Sequence, residues 1–139
     1  MAKKLLLTIL TPERAILEDQ EVDCVTIPAF EGEMGILPGH ISYVAQLREG
    51  VLHYRAGHKK EVFAILNGFA EINCDRVLIL AEGAELAKEI SEESARQAYQ
   101  KAKDVLAMRG KDMDLDAAQA SLRRAVLLMK VAGVKKRHT

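Results

Sequence analysis

The sequence contains no tryptophan and few other aromatic residues, which make up 4% of its 139 residues. Because 49% of the residues are apolar, a buried core must be built mainly from aliphatic side chains. No apolar run approaches the roughly 20 residues that a membrane-spanning helix needs. The N-terminal run Leu5-Leu6-Leu7 is not followed by a signal-peptide cleavage pattern. We therefore expect a soluble protein, or one that attaches to a membrane through a partner.

Motifs for catalysis and metal binding are also missing. The sequence has no G-x-S-x-G motif, no Walker loop and no Cys/His cluster with metal-ligand spacing. Cys24 and Cys74 lie in apolar stretches, and we expect both to be small buried residues in a reducing compartment. His53 and His58 flank a polar turn, where solvated histidines are the better explanation. We predict no catalytic residue, no metal site and no cofactor.

The neutral total charge conceals an asymmetry between the two ends of the chain. Residues 1–87 carry 8 basic and 13 acidic side chains, a net charge of −5, whereas residues 88–139 carry 12 basic and 7 acidic, a net charge of +5. Such a division indicates two modules with different partners. The basic segment 130–138 contains no aromatic residue, so we predict no nucleic-acid binding.

The first part of the chain has the pattern of a β-domain. Short apolar or alternating segments are separated by Gly, Pro, Asn and Asp, which favours an antiparallel sandwich or barrel. In Glu21–Pro28 the alternation predicts that Val22 and Cys24 face one way and Val25 and Ile27 the other. The predicted strands are Leu5–Leu10, Glu21–Pro28, Val51–Arg55, Glu61–Leu66, Phe69–Ile72 and Arg76–Leu80.

The pattern changes after Ala84 to that of two amphipathic helices. Ser91 is a candidate N-cap of the first helix, which we expect to end near Gly110. Asp114 is a candidate N-cap of the second, and Gly133 a candidate end. Because the facing stripes are rich in alanine, they bury little area, and we expect a weakly held antiparallel hairpin. The stripes are Ala95, Ala98, Ala102 and Val105 on the first helix, and Leu115, Ala118, Leu122, Ala125, Met129 and Ala132 on the second.

The segment Glu31-Gly32-Glu33-Met34-Gly35-Ile36-Leu37-Pro38-Gly39-His40, here called the signature segment, is the most informative part of the sequence. Its glycines favour a loop at a sheet edge, and Pro38-Gly39 suits a type II turn. The segment closely resembles the signature of the epsilon subunits of F-type ATP synthases. Ile65–Ile72 and Val77–Ala81 resemble further stretches of that family, so the resemblance covers essentially the whole chain.

The resemblance implies a non-catalytic subunit with a sandwich of about ten strands over residues 1–84 and a helical hairpin over residues 88–139. In this family the sandwich binds the gamma subunit and the ring of c subunits, and it rotates with them during ATP synthesis. Glu31, Glu33 and His40 are the implied candidates for contact with the c-ring. The implied location is peripheral, on the cytoplasmic face of a bacterial membrane or on the thylakoid membrane of a plastid.

The resemblance also implies a regulatory hairpin that, when extended, inhibits ATP hydrolysis by reaching acidic loops of the catalytic beta subunits. The basic candidates for that contact are Arg96, Arg123, Arg124 and Lys130. Some members bind ATP on the folded hairpin through a motif whose Asp and Arg are replaced here by Ser91 and Ser94. On the second helix Arg124 matches an expected arginine but Leu128 does not, so we predict weak or absent ATP binding.

Two rival hypotheses belong to other functional classes. One is a β-sandwich enzyme or ligand-binding module unrelated to ATP synthase, and the other is a nucleic-acid binder that uses the basic end of the chain. Co-purification with gamma and c subunits from solubilised membranes would support the stalk hypothesis. Binding to bare DNA at physiological salt would support the second rival.

Overall fold

A computed structural model describes residues 3–39, 42–108 and 114–137, with side chains as far as Gly133. These residues form two compact units, one ending at Leu86 and the other beginning at Ala87. We call the first unit the β-domain and the second the hairpin. Each is described by itself.

The β-domain contains eight strands in the described residues. Seven of them follow the order β2-β1-β8-β7-β5-β3-β4, and the remaining strand, β6, pairs with β3 and β7. β4 is therefore an edge strand, since it pairs only with β3. The strands are β1 (Leu5–Leu10), β2 (Ala15–Val22), β3 (Cys24–Ala29), β4 (Gly32–Ile36), β5 (Tyr43–Leu47), β6 (Gly50–Ala56), β7 (Lys59–Asn73) and β8 (Arg76–Leu86).

The long strand β7 pairs with three other strands. Its first part pairs with β6 and its second part with β5, while β8 pairs with it along both parts. The change occurs at Asn67 and Gly68, which have φ values of 36° and 142°. A left-handed residue and a glycine bend the strand without breaking the ladder. Because β7 and β8 are each continuous through this bend, eight strands are present where about ten were predicted.

Two sequence predictions about the strands were wrong. β1 pairs with β8 in parallel, so the domain is not wholly antiparallel. The predicted strand Glu21–Pro28 is interrupted at Asp23, which lies between β2 and β3. This interruption shifts the alternation by one position, so Val22, Val25 and Ile27 are all buried. The segment that precedes Glu21, the first part of β2, was not predicted as a strand, although Ile16 and Leu17 pack against the core.

The core of the β-domain is aliphatic, as the composition predicts. Alternate residues of β1 are buried, and so are alternate residues at the start of β8. Tyr54 and Phe63 stack with ring centroids 6.1 Å apart and supply the aromatic part of the core. The largest fully buried side chains are Phe63, Leu5, Leu7, Ile9, Ile27, Ile36, Leu47, Leu52, Ile65, Ile72, Ile79 and Val22.

The hairpin consists of a short 3₁₀ turn, Ala87–Glu89, and two helices, α1 (Glu92–Ala107) and α2 (Leu115–Arg137). Both predicted N-caps are confirmed. The Ser91 hydroxyl accepts from the Ser94 amide at 3.2 Å, and the Asp114 carboxylate accepts from the Ala117 amide at 3.1 Å. The predicted end at Gly133 was wrong, because α2 continues to Arg137 and a single glycine within a helix costs only about 1 kcal/mol. Gly110 lies outside the described residues.

The helices contact each other, but their buried stripes differ from the predicted ones. On α1, Ala95 and Ala102 are buried as predicted, whereas Ala98 and Val105 are exposed and Tyr99 and Leu106 are half-buried in their place. On α2, Ala125 and Ala132 are buried as predicted, and Leu115 and Met129 are exposed. Leu127 and Val131 form a second buried face that the alternation of small residues did not reveal.

Candidate interaction surfaces

The signature segment is mostly a strand and not the loop that its glycines favoured. It begins with a turn at Glu31, continues as β4, and ends in a second turn at Pro38 and Gly39. Gly32 and Gly39 have φ values of 138° and 84°, but Gly35 has ordinary strand geometry. An edge strand tolerates glycine because a neighbouring strand pairs with only one of its two sides.

The beginning of the signature segment is exposed. The carboxylates of Glu31 and Glu33 reach solvent, and the neighbouring Phe30 exposes 62% of its surface. An open groove of about 340 Å³ runs between β4 and β5, and Phe30, Met34 and Val44 are among the residues that line it. Two carboxylates beside an exposed aromatic side chain and an open groove form a surface suited to a protein partner.

β4 separates the beginning of the signature segment from its end. A five-residue strand is about 17 Å long at about 3.4 Å per residue. Glu31 and the turn at Gly39 therefore lie at opposite ends of β4. His40, the third predicted contact residue, lies outside the described residues.

The end of the signature segment is joined to the turn between β7 and β8. The Gly39 amide donates to the Asp75 carboxylate at 3.0 Å, and the Ser42 hydroxyl donates to the Asn73 side-chain oxygen at 3.4 Å. Cys74, at the tip of that turn, has a φ of 57° and is exposed. Its predicted burial was therefore wrong, because Cys74 lies in the surface turn between β7 and β8 and not in a strand. Cys24 is half-buried.

Asp23 forms a second junction between distant segments. Its carboxylate accepts from the Gly57 amide at 2.7 Å and is paired with the Lys4 ammonium. The hydrogen bond from Lys4, followed by that from Gly57, holds the pKa of Asp23 below its ordinary value near 3.8. Sequence reasoning missed this junction, because the three residues are distant in the sequence and none stands in a motif.

Part of the outer face of the β-domain is apolar. Phe69 of β7 pairs with Leu80 of β8, and these residues expose 55% and 47% of their surface. On β5 the exposed Val44 points to the same side, because Gln46, two residues further along, is the partner of Phe69. The apolar face, defined here by Val44, Phe69 and Leu80, was not predicted, since a strand with apolar residues on both faces gives no alternation to read.

The predicted basic contact residues of the hairpin are all exposed. Arg96 lies 3.6 Å from Glu92 in an i,i+4 ion pair near the start of α1. On α2, Arg123 and Lys130 are seven residues apart and share one side of the helix, whereas Arg124 is turned by about 100°. The exposed cations are therefore distributed around the hairpin and do not converge on one point.

Metal binding and membrane insertion are two further possibilities for the described part of the chain. Within it, no group of three or more His, Cys, Asp or Glu side chains is arranged to hold a metal ion. Over the same residues, neither helix is both long enough and apolar enough to cross a membrane. The described surface instead offers a groove at an edge strand, a second open groove of about 630 Å³ beside the β7–β8 turn, an apolar sheet face and a basic hairpin. Open grooves and exposed apolar or charged patches suit protein contacts.

Family models match both units of the chain. The model for the beta-sandwich domain of the ATP synthase delta/epsilon chain matches residues 4–87, and the model for its long alpha-helix domain matches residues 88–133. The chain belongs to the ATP synthase delta/epsilon family. The predicted family and the predicted fold, a β-sandwich followed by a helical hairpin, are thereby confirmed. As a member of this family, the chain is a non-catalytic subunit of ATP synthase, as predicted.

Curated relatives agree over nearly the whole length. The chain is 42% identical to the ATP synthase epsilon chain of Nitratidesulfovibrio vulgaris strain DP4, with 96% of this chain and 98% of the relative covered. It is 38% identical to that of Bacillus velezensis, with 94% and 98% covered.

Solved structures of ATP synthases contain similar chains. A chain in the Euglena gracilis mitochondrial ATP synthase structure of OSCP, F1 and c-ring has a TM-score of 0.69 and 28% identity, with 97% of this chain and 81% of that chain covered. A chain in the central stalk and c-ring structure from Tetrahymena thermophila has a TM-score of 0.61 at 17% identity, with 94% and 98% covered. At that identity the Tetrahymena chain supports the fold alone.

Proposed function

We propose that this chain is a rotor subunit of the central stalk, which connects the gamma subunit to the c-ring and restrains ATP hydrolysis through its hairpin. The observation that carries the proposal is the match of both units, in order and over nearly the full length, to the epsilon chain. The Euglena structure that contains a similar chain also contains F1 and the c-ring. The subunit would be peripheral, on the cytoplasmic face of a bacterial membrane or on a thylakoid membrane.

The proposed c-ring contact is the signature segment, with Glu31, Glu33 and His40 as its candidate residues. Support comes from the exposure of both carboxylates and from the exposed Phe30 beside them. Exposed charges at the rim of an interface mainly steer association and fix orientation, while apolar groups supply more of the affinity. The apolar face of Val44, Phe69 and Leu80 is the surface that we propose for gamma, because exposed apolar side chains adjoin there on three neighbouring strands.

The contact is tested by rebinding the chain to ATP synthase from which this subunit has been removed. We expect the double variant Glu31→Lys/Glu33→Lys to rebind more weakly and to lose most of the coupling between ATP hydrolysis and ion pumping. Glu18→Lys/Glu21→Lys is the matched control, since both residues are also exposed but lie on β2, at the other end of the strand order. Equal behaviour of Glu31→Lys/Glu33→Lys and the wild type would refute the contact.

The proposed inhibitory contact runs from the basic residues Arg96, Arg123, Arg124 and Lys130 to acidic loops of the catalytic beta subunits. Each exposed ion pair contributes only about 0–1 kcal/mol, but several together shift a two-state equilibrium severalfold. Salt screens such pairs, with a Debye length of about 10 Å at 0.1 M. Inhibition by this route must therefore weaken as salt is added.

Charge reversal tests the inhibitory contact. We expect Arg123→Glu/Arg124→Glu to raise the ATPase activity of the assembled complex and to flatten its dependence on salt. The double variant Lys101→Glu/Lys103→Glu on α1 makes the same change in net charge and separates the α2 residues from a general charge effect. If reversal leaves inhibition intact while removal of the hairpin relieves it, apolar residues such as Leu127, Leu128 and Met129 are the next to test.

We also propose that ATP binds the hairpin weakly or not at all. Ser91 stands where the binding members of the family have Asp, and its hydroxyl is engaged as the N-cap of α1. Arg124 is the one matching arginine on α2, since the second position is Leu128. Bound ligand stabilises a fold by RT ln(1 + [L]/Kd), about 2.7 kcal/mol at a hundredfold excess over Kd. An unchanged melting temperature at about 1 mM ATP is the expected result.

A further inference from the structure

The junction between the signature segment and the β7–β8 turn joins residues that are 36 positions apart in the sequence. The Asp75 carboxylate accepts from the Gly39 amide at 3.0 Å. The main chain of Asp75 is held as well, because its carbonyl accepts from the Leu6 amide of β1 at 2.8 Å. A fixed strand thus holds Asp75, and the side chain of Asp75 holds Gly39.

Gly39 needs such a partner because the backbone of a glycine can adopt many conformations. Its φ of 84° is one of several regions that glycine enters freely, and a Cβ at this position would meet no other atom within 4 Å. The glycine itself therefore does not restrict the turn to this conformation. A hydrogen bond to a carboxylate, stronger than one to a neutral group, selects one conformation. The nearby bond from Ser42 to Asn73 attaches the chain to the same turn a second time.

The large exposed apolar side chain beside this turn is that of Leu37. It follows β4 directly and exposes 64% of its surface, so it is available to a partner. We propose that Asp75 is a positioning residue: it fixes the turn at Gly39 so that the segment Leu37–Gly39 has the conformation that the rest of ATP synthase binds. This inference rests on the proposed function.

The Asp23 junction offers a matched control within the same domain. The Asp23 carboxylate accepts from the Gly57 amide at 2.7 Å, so it too is a carboxylate that holds a left-handed glycine. Gly57, however, lies in the turn between β6 and β7 and not in the signature segment. Asp23→Ala removes the same kind of bond between a carboxylate and a glycine amide at a different place, and it also removes the ion pair with Lys4. Lys4→Met removes that ion pair alone and separates the two losses.

The experiment uses the full chain and three measurements: amide hydrogen exchange at each glycine, melting temperature, and affinity for ATP synthase lacking this subunit. In Asp75→Ala we expect exchange at Gly39 to rise about tenfold and affinity to fall about tenfold, the scale of one such hydrogen bond. Asp75→Asn keeps an oxygen acceptor and should restore most of both. Asp23→Ala should raise exchange at Gly57 and leave affinity unchanged.

Three results would overturn the inference. Exchange at Gly39 that does not respond to Asp75→Ala would show that the bond does not hold the turn. A response in exchange without loss of affinity would show that the turn is not part of the contact. Equal losses of affinity in Asp23→Ala and Asp75→Ala would reduce the effect to general stability. If the wild-type chain itself does not rebind, the proposed function fails, and this inference fails with it.

Discussion

The β-domain and the hairpin bury their side chains in different ways. In the β-domain the fully buried residues are large, such as Phe63, Leu5 and Ile65, and each contributes about 1.5–3 kcal/mol when buried. In the hairpin most of the buried residues are alanines, which bury far less area. The β-domain therefore has the larger reserve of stability. We therefore expect the hairpin to open at a lower free-energy cost than the β-domain.

The two regions also differ in their net charge and in the kind of electrostatic contacts that they contain. The acidic β-domain contains junctions between residues that are distant in the sequence, such as those of Asp23 with Lys4 and Gly57. On the basic hairpin the ion pair between Glu92 and Arg96 is local and exposed, and local pairs of this kind contribute only a few tenths of a kcal/mol. A rigid unit with specific junctions suits a permanent contact. A unit held by small residues and local pairs suits a regulated one.

The largest expected effect would come from a substitution of Gly68, where the β-domain is least tolerant of an added side chain. A Cβ at this position would lie 2.0 Å from the Leu80 carbonyl oxygen and 2.9 Å from the Ala81 Cα, and the φ of 142° is one that other residues rarely adopt. Strained backbone and overpacking each cost about 1–3 kcal/mol. We expect Gly68→Ala to destabilise the β-domain by about 3 kcal/mol or more in denaturant unfolding.

Gly35→Ala is the matched control for this prediction. Gly35 has no positive φ, and a Cβ there would meet nothing within 4 Å. The melting temperature of Gly35→Ala should therefore be close to that of the wild type. Similar losses of stability in the two variants would mean that the bend in β7 is not the constraint.

The second prediction concerns the N-cap of α1 and should be limited to the hairpin. Ser91→Ala removes the bond to the Ser94 amide, and losing an N-cap costs about 1 kcal/mol. We expect the helical circular dichroism signal to melt at a lower temperature while the β-domain unfolds as before. Ser94→Ala serves as the control, since Ser94 contributes its amide and not its side chain to this bond. A matching shift in β-domain unfolding would show that the two regions are not independent.

How much of this was predictable depends on whether the signal was local. β1 and the caps at Ser91 and Asp114 follow from short patterns, and the structure has them where the sequence predicts them. The first part of β2 was missed because its exposed residues give no alternation. The parallel pairing of β1 with β8 and the bond from Gly39 to Asp75 join distant residues, and no local pattern reveals such pairs. The signature segment identified the family, but its glycines suggested a loop where the structure has an edge strand.

The third prediction concerns acid stability and belongs to the β-domain alone. The pKa of Asp23 is lowered in the folded state, first by Lys4 and then by the Gly57 amide. Its contribution to stability is therefore present above the unfolded-state pKa, ordinarily near 3.8, and is lost as pH falls through the folded-state value. We expect Asp23→Asn to flatten the dependence of the denaturation midpoint on pH below about pH 4.

Lys4→Met removes the leading cause of the shift in Asp23 and should flatten the same curve. If both variants retain the full acid dependence of the wild type, other carboxylates govern acid unfolding. Neither substitution should affect the hairpin. The helical circular dichroism signal at neutral pH should therefore melt at an unchanged temperature.

The smallest expected effect follows from the largest deletion. A chain ending at Ala87 keeps all eight strands and the aliphatic core, and the compact unit ends at Leu86. A core of this kind does not need an alanine-rich hairpin for its stability. We expect the shortened chain to unfold cooperatively at nearly the wild-type temperature and still to rebind ATP synthase lacking this subunit. It should also leave ATP hydrolysis at least as active as the Arg123→Glu/Arg124→Glu variant does, because it removes the whole element that we propose to be inhibitory. An unfolded fragment would place the hairpin in the core of the protein, and a folded fragment that does not rebind would assign it a share of the permanent contact.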